Sequence, residues 1–257
     1  MDSPILDSLC HGNSILVFDC EFWHLFNKAD VHYLPEKDYF FVPREVGGFM
    51  CEKAKGWSIK EKFFVTLDCP LDDVALPVSQ FATVKLETAA ELDQIQEEIG
   101  VQWVDAHKSV LDKKQKALLN KAIKLYKNDP NIKKHHEPFS WVPKFLKVFS
   151  ESTVIVKGTG DLEALQNLCR IKGFDYPSPK KLIDIANWNA TSKKLCGSAK
   201  LENTFNCIQS KLSPEIRRVL EQLPLGEAHD PTMDATMTLI VAMFSASPAA
   251  HNRRGGV

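Results

Sequence analysis

Residues 15–23 read Ile-Leu-Val-Phe-Asp-Cys-Glu-Phe-Trp, an apolar run broken only by two acids. A run of this kind predicts a strand buried on both faces. Residues 38–51 and 61–68 are rich in β-branched and aromatic side chains and are punctuated by Pro43 and the Gly47-Gly48 pair. They predict two further strands joined as a hairpin. From about residue 87 to 128 the pattern turns helical, with Leu111, Leu118, Ala122 and Leu125 near a helical repeat. Pro130 and Pro138 then bracket a polar connector holding His135 and His136. Adjacent histidines cannot share a helix face and no third ligand recurs nearby, so the connector reads as a surface loop and not a metal site. The spacing next predicts a helix over 141–150, a strand over 153–157, a helix over 161–172 and a strand over 181–185. The remainder reads as helical, closing with a helix over 231–244 and a frayed, flexible tail over 248–257. A strand meander followed by alternating helix and strand predicts an α/β fold, a mixed β-sheet flanked by helices. The 257 residues fit one domain, with about 87–138 as a helical insertion.

Composition narrows the picture only a little. Charged residues make up 25% and the formal net charge is −1, so a nucleic-acid partner would have to be held by local patches. One such patch lies in the insertion, where acids (Glu87, Glu91, Asp93, Glu97, Glu98) precede a run of lysines that includes Lys113, Lys114, Lys121 and Lys124. Two readings stand side by side: solvated helix faces, or a basic arm whose Lys113 and Lys114 track a phosphate backbone. The seven cysteines are odd in number and form no CxxC pair. That argues against a zinc ribbon or a disulfide framework and for a reducing compartment. With no secretory leader and no apolar stretch of about 18 residues, the expectation is an intracellular protein, cytoplasmic or nuclear, with no membrane partner.

Chemistry enters with the acids. Asp19 and Glu21 are two apart on a strand, so their side chains share a face. Carboxylates are costly beside hydrophobic runs unless neutralised, and paired hard oxygens suit Mg²⁺ or Mn²⁺. A solvent-facing strand end would also accommodate them. Asp161 follows Val-Ile-Val-Lys-Gly-Thr-Gly at a strand-to-helix junction, where α/β enzymes place functional groups and where an ordinary helix cap also belongs. His229 and Asp234 are five apart. Asp230 is a good N-cap and Pro231 a good first helical residue, which leaves His229 in the preceding loop and Asp234 on the first turn.

The order of these segments resembles the DEDDh (DnaQ-like) 3′→5′ exonuclease superfamily, which has an RNase H-like fold. Val-Phe-Asp-Cys-Glu-Phe-Trp is similar to its first motif, Ile-Val-Lys-Gly-Thr-Gly-Asp-Leu-Glu-Ala-Leu to its second and His-Asp-Pro-Thr-Met-Asp-Ala to its third. The second motif departs from the commonest form, with Lys157-Gly158-Thr159-Gly160 where a His-Asn pair usually precedes the aspartate. The resemblance implies two divalent metal ions, Mg²⁺ or Mn²⁺, about 4 Å apart, held by Asp19, Glu21, Asp161 and Asp234. It implies His229 as general base and nucleoside 5′-monophosphates released from the 3′ end of single-stranded RNA or DNA, the wording of the first motif favouring RNA. Cys20, Phe22, Trp23 and Lys157 would lie against the substrate, the aromatic pair by stacking on terminal bases. A fold of this type that binds nucleic acid or protein without cutting it is the alternative. An RNase H-type endonuclease accounts less well for the His-x4-Asp pair.

Overall fold

The computed structural model describes residues 14–26, 39–53, 57–70, 74–75, 124, 126–225 and 230–247. The apolar run forms the central strand β1 (Ser14–Phe26). Strands β2 (Tyr39–Lys53) and β3 (Trp57–Thr66) continue from it as an antiparallel meander. A two-residue strand β4 (Val74–Ala75) pairs with the far end of β1. Strand β5 (Thr153–Val156) lies parallel to β1 and β6 (Lys181–Asp184) parallel to β5. The order β3-β2-β1-β5-β6 is that of an α/β, RNase H-like mixed sheet, as the sequence predicts. Because β1 has a strand on each side and helices on both faces, nothing polar is tolerated along it except where function or pairing supplies a reason.

The two faces carry separate cores. Leu16, Phe18 and Cys20 point to one, where α2 (Trp141–Glu151) and α3 (Gly160–Lys172) cover them. Phe18 meets Phe145 of α2 edge to face, ring centroids 5.3 Å apart. Ile15 and Val17 point to the other, against Phe49 and Cys51 of β2 and a layer of α4 (Asn189–Cys196), α5 (Leu201–Ile208), α6 (Pro214–Leu220) and α7 (Pro231–Ser245). Every residue of α7 from Ala235 to Ser245 is buried. A helix apolar on all sides belongs in a core and not on a surface, and each large side chain it buries stabilises the fold by roughly 1.5–3 kcal/mol.

Two expectations are corrected. The polar connector of residues 130–138 is not simply a loop, because it opens with a short helix, α1 (Pro130–Lys134). Asp129 caps it by accepting from the N–H groups of Asn131 (2.7 Å) and Ile132 (3.4 Å), and Ile132 alone is buried. One apolar residue leaves no periodicity to read. The chain then lies along β3, with Thr66 N donating to His135 O and Glu137 N to Thr66 O, both at 2.9 Å. His136 faces Asp68 (Nε2 to Oδ2, 3.5 Å). Residues 87–123 of the predicted insertion, with Lys113 and Lys114, and the tail 248–257 lie outside the described residues.

The cysteine expectation also fails in part: Cys196 and Cys207 form a disulfide that joins the end of α4 to α5. An odd total does not forbid one pair, and the turn between two short helices brings the Cα atoms to 5.7 Å. Among the described residues, Cys20, Cys51 and Cys169 are free thiols, and no helix is long and apolar enough to cross a membrane. Closing a loop of this size is worth about 2–3 kcal/mol in chain entropy. Reduction, or Cys196→Ser, is therefore expected to lower the unfolding free energy by about that amount. Urea denaturation with and without reductant measures it, and coincident curves would contradict it.

Candidate metal centre

Period-two alternation sends Asp19 and Glu21 to the same side of β1 as Ile15 and Val17. On β2 the residues directly opposite are Gly47 and Glu45. Gly47 is what admits the third acid. A Cβ there would stand 2.6 Å from the backbone nitrogen of Thr232 and 2.8 Å from the carbonyl carbon of Pro231. Only glycine lets the first turn of α7 press onto the sheet at this point. That turn begins as the sequence predicts, with Asp230 as N-cap accepting from Thr232 N at 2.8 Å, Pro231 at the first position and Asp234 in the first turn. The outcome is a set of carboxylate oxygens from Asp19, Glu21 and Asp234 all within 4.8 Å of one another.

Asp161 arrives from the opposite face. Strand β5 ends at Val156 and a turn through Gly158, whose φ of 88° suits glycine, leads into α3. Asp184 fixes this turn: its Oδ1 accepts from Gly158 N at 2.7 Å and from Ala186 N at 2.8 Å. Asp161 is not the helix cap, since the cap position is Thr159. Its Oδ1 instead accepts from the backbone N–H of Cys20 at 3.0 Å, between the two acids of β1. Thus the first turns of α3 and α7, one from each face, each bring an acid to β1, where the positive ends of the helix dipoles favour negative charge.

The electrostatics show how far this falls short of neutrality. Glu21 and Asp161 are 6% and 5% exposed, while Asp19 and Asp234 are partly open to solvent. Burial pushes the Asp19 carboxyl well above the usual range, and the charges of Asp161, Asp234 and Glu21 push it further. Burial raises Glu21 to about 8, Arg44 opposing and Glu45 adding to the shift. Burial raises Asp161 to about 7, although its backbone hydrogen bonds pull the other way. Close carboxylates occur on protein surfaces without an ion. Carboxyl groups raised in this way mark a site where acids outnumber the cations that balance them, with Arg44 opposing the shift at Glu21. The three acids that meet, Asp19, Glu21 and Asp234, offer hard oxygen donors of the kind that suits Mg²⁺ or Mn²⁺, and Asp161 stands outside that group.

The other predicted residues divide. Phe22 is half-buried and packs on Phe41, centroids 4.9 Å apart, and part of its surface stays open. Trp23 cannot stack on a base: it is fully buried, its indole N–H donates to Leu67 O at 3.0 Å, and Tyr126 packs edge-on at 5.5 Å. A β-bulge shifts the register between Glu21 and Phe22, with Arg44 the extra residue on β2, and Trp23 packs in the core just beyond it. Cys20 likewise has no thiol to offer a substrate, because its side chain is buried and it serves the site through its N–H. Lys157 is partly buried and bonded to Asn189 Oδ1. His229, like Lys113 and Lys114, lies outside the described residues.

Sequence reasoning missed Gly47, Asp184 and a buried Arg44-Glu45 pair. The last had a readable signal, since Pro-Arg-Glu-Val inside an apolar strand poses the same problem as Asp-Cys-Glu. A separate cavity of about 290 Å³ beside Trp23 and Tyr126 is rimmed by Lys127 and His136, 3.1 and 3.5 Å from the Asp68 carboxylate. Asp68 thus sets a negative charge within the same lining, and no carboxylate of the cluster lines it. A search against models of known protein families found no match for this chain, and a search of curated proteins found none either.

Two outcomes are expected. Gly47→Ala must displace backbone and not a flexible side chain, so it should cost about 1–3 kcal/mol and weaken any metal-induced stabilisation. Thermal melts with and without Mn²⁺ read both, and a wild-type response would contradict the packing argument. For pH the sign follows from raised folded-state values. The stability contributed by protonated Glu21 and Asp161 is full below about pH 4. It is lost as pH rises through about 7 and 8. Metal-free protein should thus lose stability from pH 5 to 9, with Mn²⁺ restoring most at the alkaline end. Asp19→Asn should raise the metal-free melting point at pH 8 by about 2–4 °C, the equivalent of about 1 kcal/mol, and abolish the Mn²⁺ shift. A melting point that is independent of pH and metal would contradict this.

Proposed function

We propose that the chain is a metal-dependent 3′→5′ exonuclease of the DEDDh type, hydrolysing single-stranded RNA or DNA to nucleoside 5′-monophosphates. The observation that carries the reading is the meeting of Asp19, Glu21 and Asp234 within 4.8 Å, with Asp161 hydrogen-bonded between the first two. Support also comes from the RNase H-like sheet and from the order of the motifs along the chain.

In this reading Asp19, Glu21 and Asp234 hold the ions, and Asp161 completes the set from the other face. Bound there, two divalent ions supply an activated water and charge stabilisation for the departing 3′ oxygen. The remaining work falls to the protein. Asp161 fixes the spacing of the first two acids by gripping the backbone between them. An imidazole nitrogen of His229 takes the proton of the attacking water, a role suited to a group that titrates near neutrality. Phe22, with surface still open, is the aromatic left to meet a terminal base once Trp23 is committed to the core.

The test is a labelled single strand, RNA or DNA, incubated with Mn²⁺. A ladder of products shortened from the 3′ end is expected, with none when the 3′ end is blocked or EDTA is present. Glu21→Gln and Asp234→Asn should each lower the rate at least about 100-fold, or about 2.7 kcal/mol of barrier. A mobility shift without shortening would instead favour a binding module, and full activity in either variant would sink the assignment.

A further inference from the structure

Glu21 and Glu45 stand directly opposite each other on β1 and β2, 6% and 0% exposed. Directly opposed residues of an antiparallel pair point to one face with Cβ atoms about 4.5–5.5 Å apart, and like charges there repel. Glu45 is thus placed to compete for any ion that Glu21 holds, but its carboxylate is already engaged. Tyr126 Oη donates to Glu45 Oε1 at 2.7 Å, and Arg44 Nε lies 3.7 Å from the same oxygen. The Arg44 guanidinium also rests over the Tyr126 ring, 5.0 Å from its centroid. Arg44 and Tyr126 are 0% and 1% exposed, so solvent screens none of this.

The bulge explains how an arginine comes to be there. Glu21 pairs with Glu45 and Phe22 with Pro43, so Arg44 is the extra residue on β2. Bulges re-aim a side chain next to a site while the flanking register is kept. A buried ion pair is a weak source of stability, since apolar residues of similar volume do as well. Its placement directly opposite Glu21, a member of the carboxylate cluster, points to another role.

We infer that Arg44 and Tyr126 are positioning residues that hold Glu45 out of the metal centre and balance its charge, so that the ions are held by Glu21 and not by Glu45. The inference rests on the metal-dependent reading above. Once released, Glu45 becomes an extra ligand at a centre whose chemistry needs open positions for water and phosphate.

The experiment measures Mn²⁺ binding by electron paramagnetic resonance, and kcat on a labelled oligonucleotide, for wild type, Arg44→Gln, Tyr126→Phe and Arg44→Gln/Glu45→Gln. Arg44→Gln is expected to bind Mn²⁺ at least as tightly as wild type while kcat falls about 10–100-fold, the usual range for a partner behind a metal ligand. Tyr126→Phe, which changes one oxygen, should show the same split with a smaller loss. Adding Glu45→Gln should bring kcat back to within about threefold of wild type, because the unwanted ligand is gone. Wild-type kcat in both single variants would overturn the inference. So would a parallel loss of Mn²⁺ binding and kcat that Glu45→Gln fails to rescue, the mark of a merely structural pair. Wild-type protein that neither binds Mn²⁺ nor cuts would overturn the metal reading itself, and this inference with it. Wild-type protein that does both while the variants behave normally overturns the inference alone.

Discussion

The first turn of α7 occupies the space in which a side chain at residue 47 would stand. Most of the candidate site depends on that contact. The depth at which α7 seats decides whether Asp234 reaches Asp19 and Glu21 or stops short of them. It also sets how the apolar length of the helix, Ala235 to Ser245, fills the core beneath. One backbone-to-backbone approach thereby couples packing to chemistry. The opposite face has its own version, in which Asp184 fixes the Gly158 turn and Asp161 grips the backbone of Cys20. Strand β1 is clamped between two helix N-termini, and each carries an acid to it.

Charge is distributed with a clear asymmetry. Glu45 has an arginine and a tyrosine for company and is fully buried. Asp19, on the neighbouring strand, has only other acids acting on its charge, and Glu21 has three acids against Arg44. A fold selected only for stability would gain by neutralising or replacing these groups. Retaining strain of this kind at one point of an otherwise consistent structure is what a functional site looks like in energetic terms.

Much of this was legible in the sequence, for identifiable reasons. The strands of the meander and β5, β6, α2, α3 and α7 follow from hydrophobic period and from Asp230-Pro231, because local propensity and burial agree there. Motif order pointed to Asp19, Glu21, Asp161 and Asp234; the structure brings Asp19, Glu21 and Asp234 together and sets Asp161 against the backbone of Cys20. The bulge was not legible. It depends on how two strands settle against each other, and it leaves Arg44 as the extra residue of β2, fully buried. Asp161 looked like a helix cap because a cap is a local device, whereas its actual partner is 141 positions away. The Cys196–Cys207 bond was hidden in the same way, since a total of seven says nothing about which two cysteines a helical turn will bring together.

That separation along the chain has a temporal side. Strand β1 is made before the other described elements, the segments that carry Asp161 and Asp234 follow it, and Asp234 comes on the last described helix. Until α7 is synthesised, the core face that includes Ile15 and Val17 lacks its main cover, and the acids of β1 lack the third oxygen donor. A nascent chain would therefore be unable to assemble the centre until α7 has been made. The same topology, rich in contacts between distant segments, favours slow folding. Assembly of the site and completion of the core would then be one late event, reported together by any probe of either.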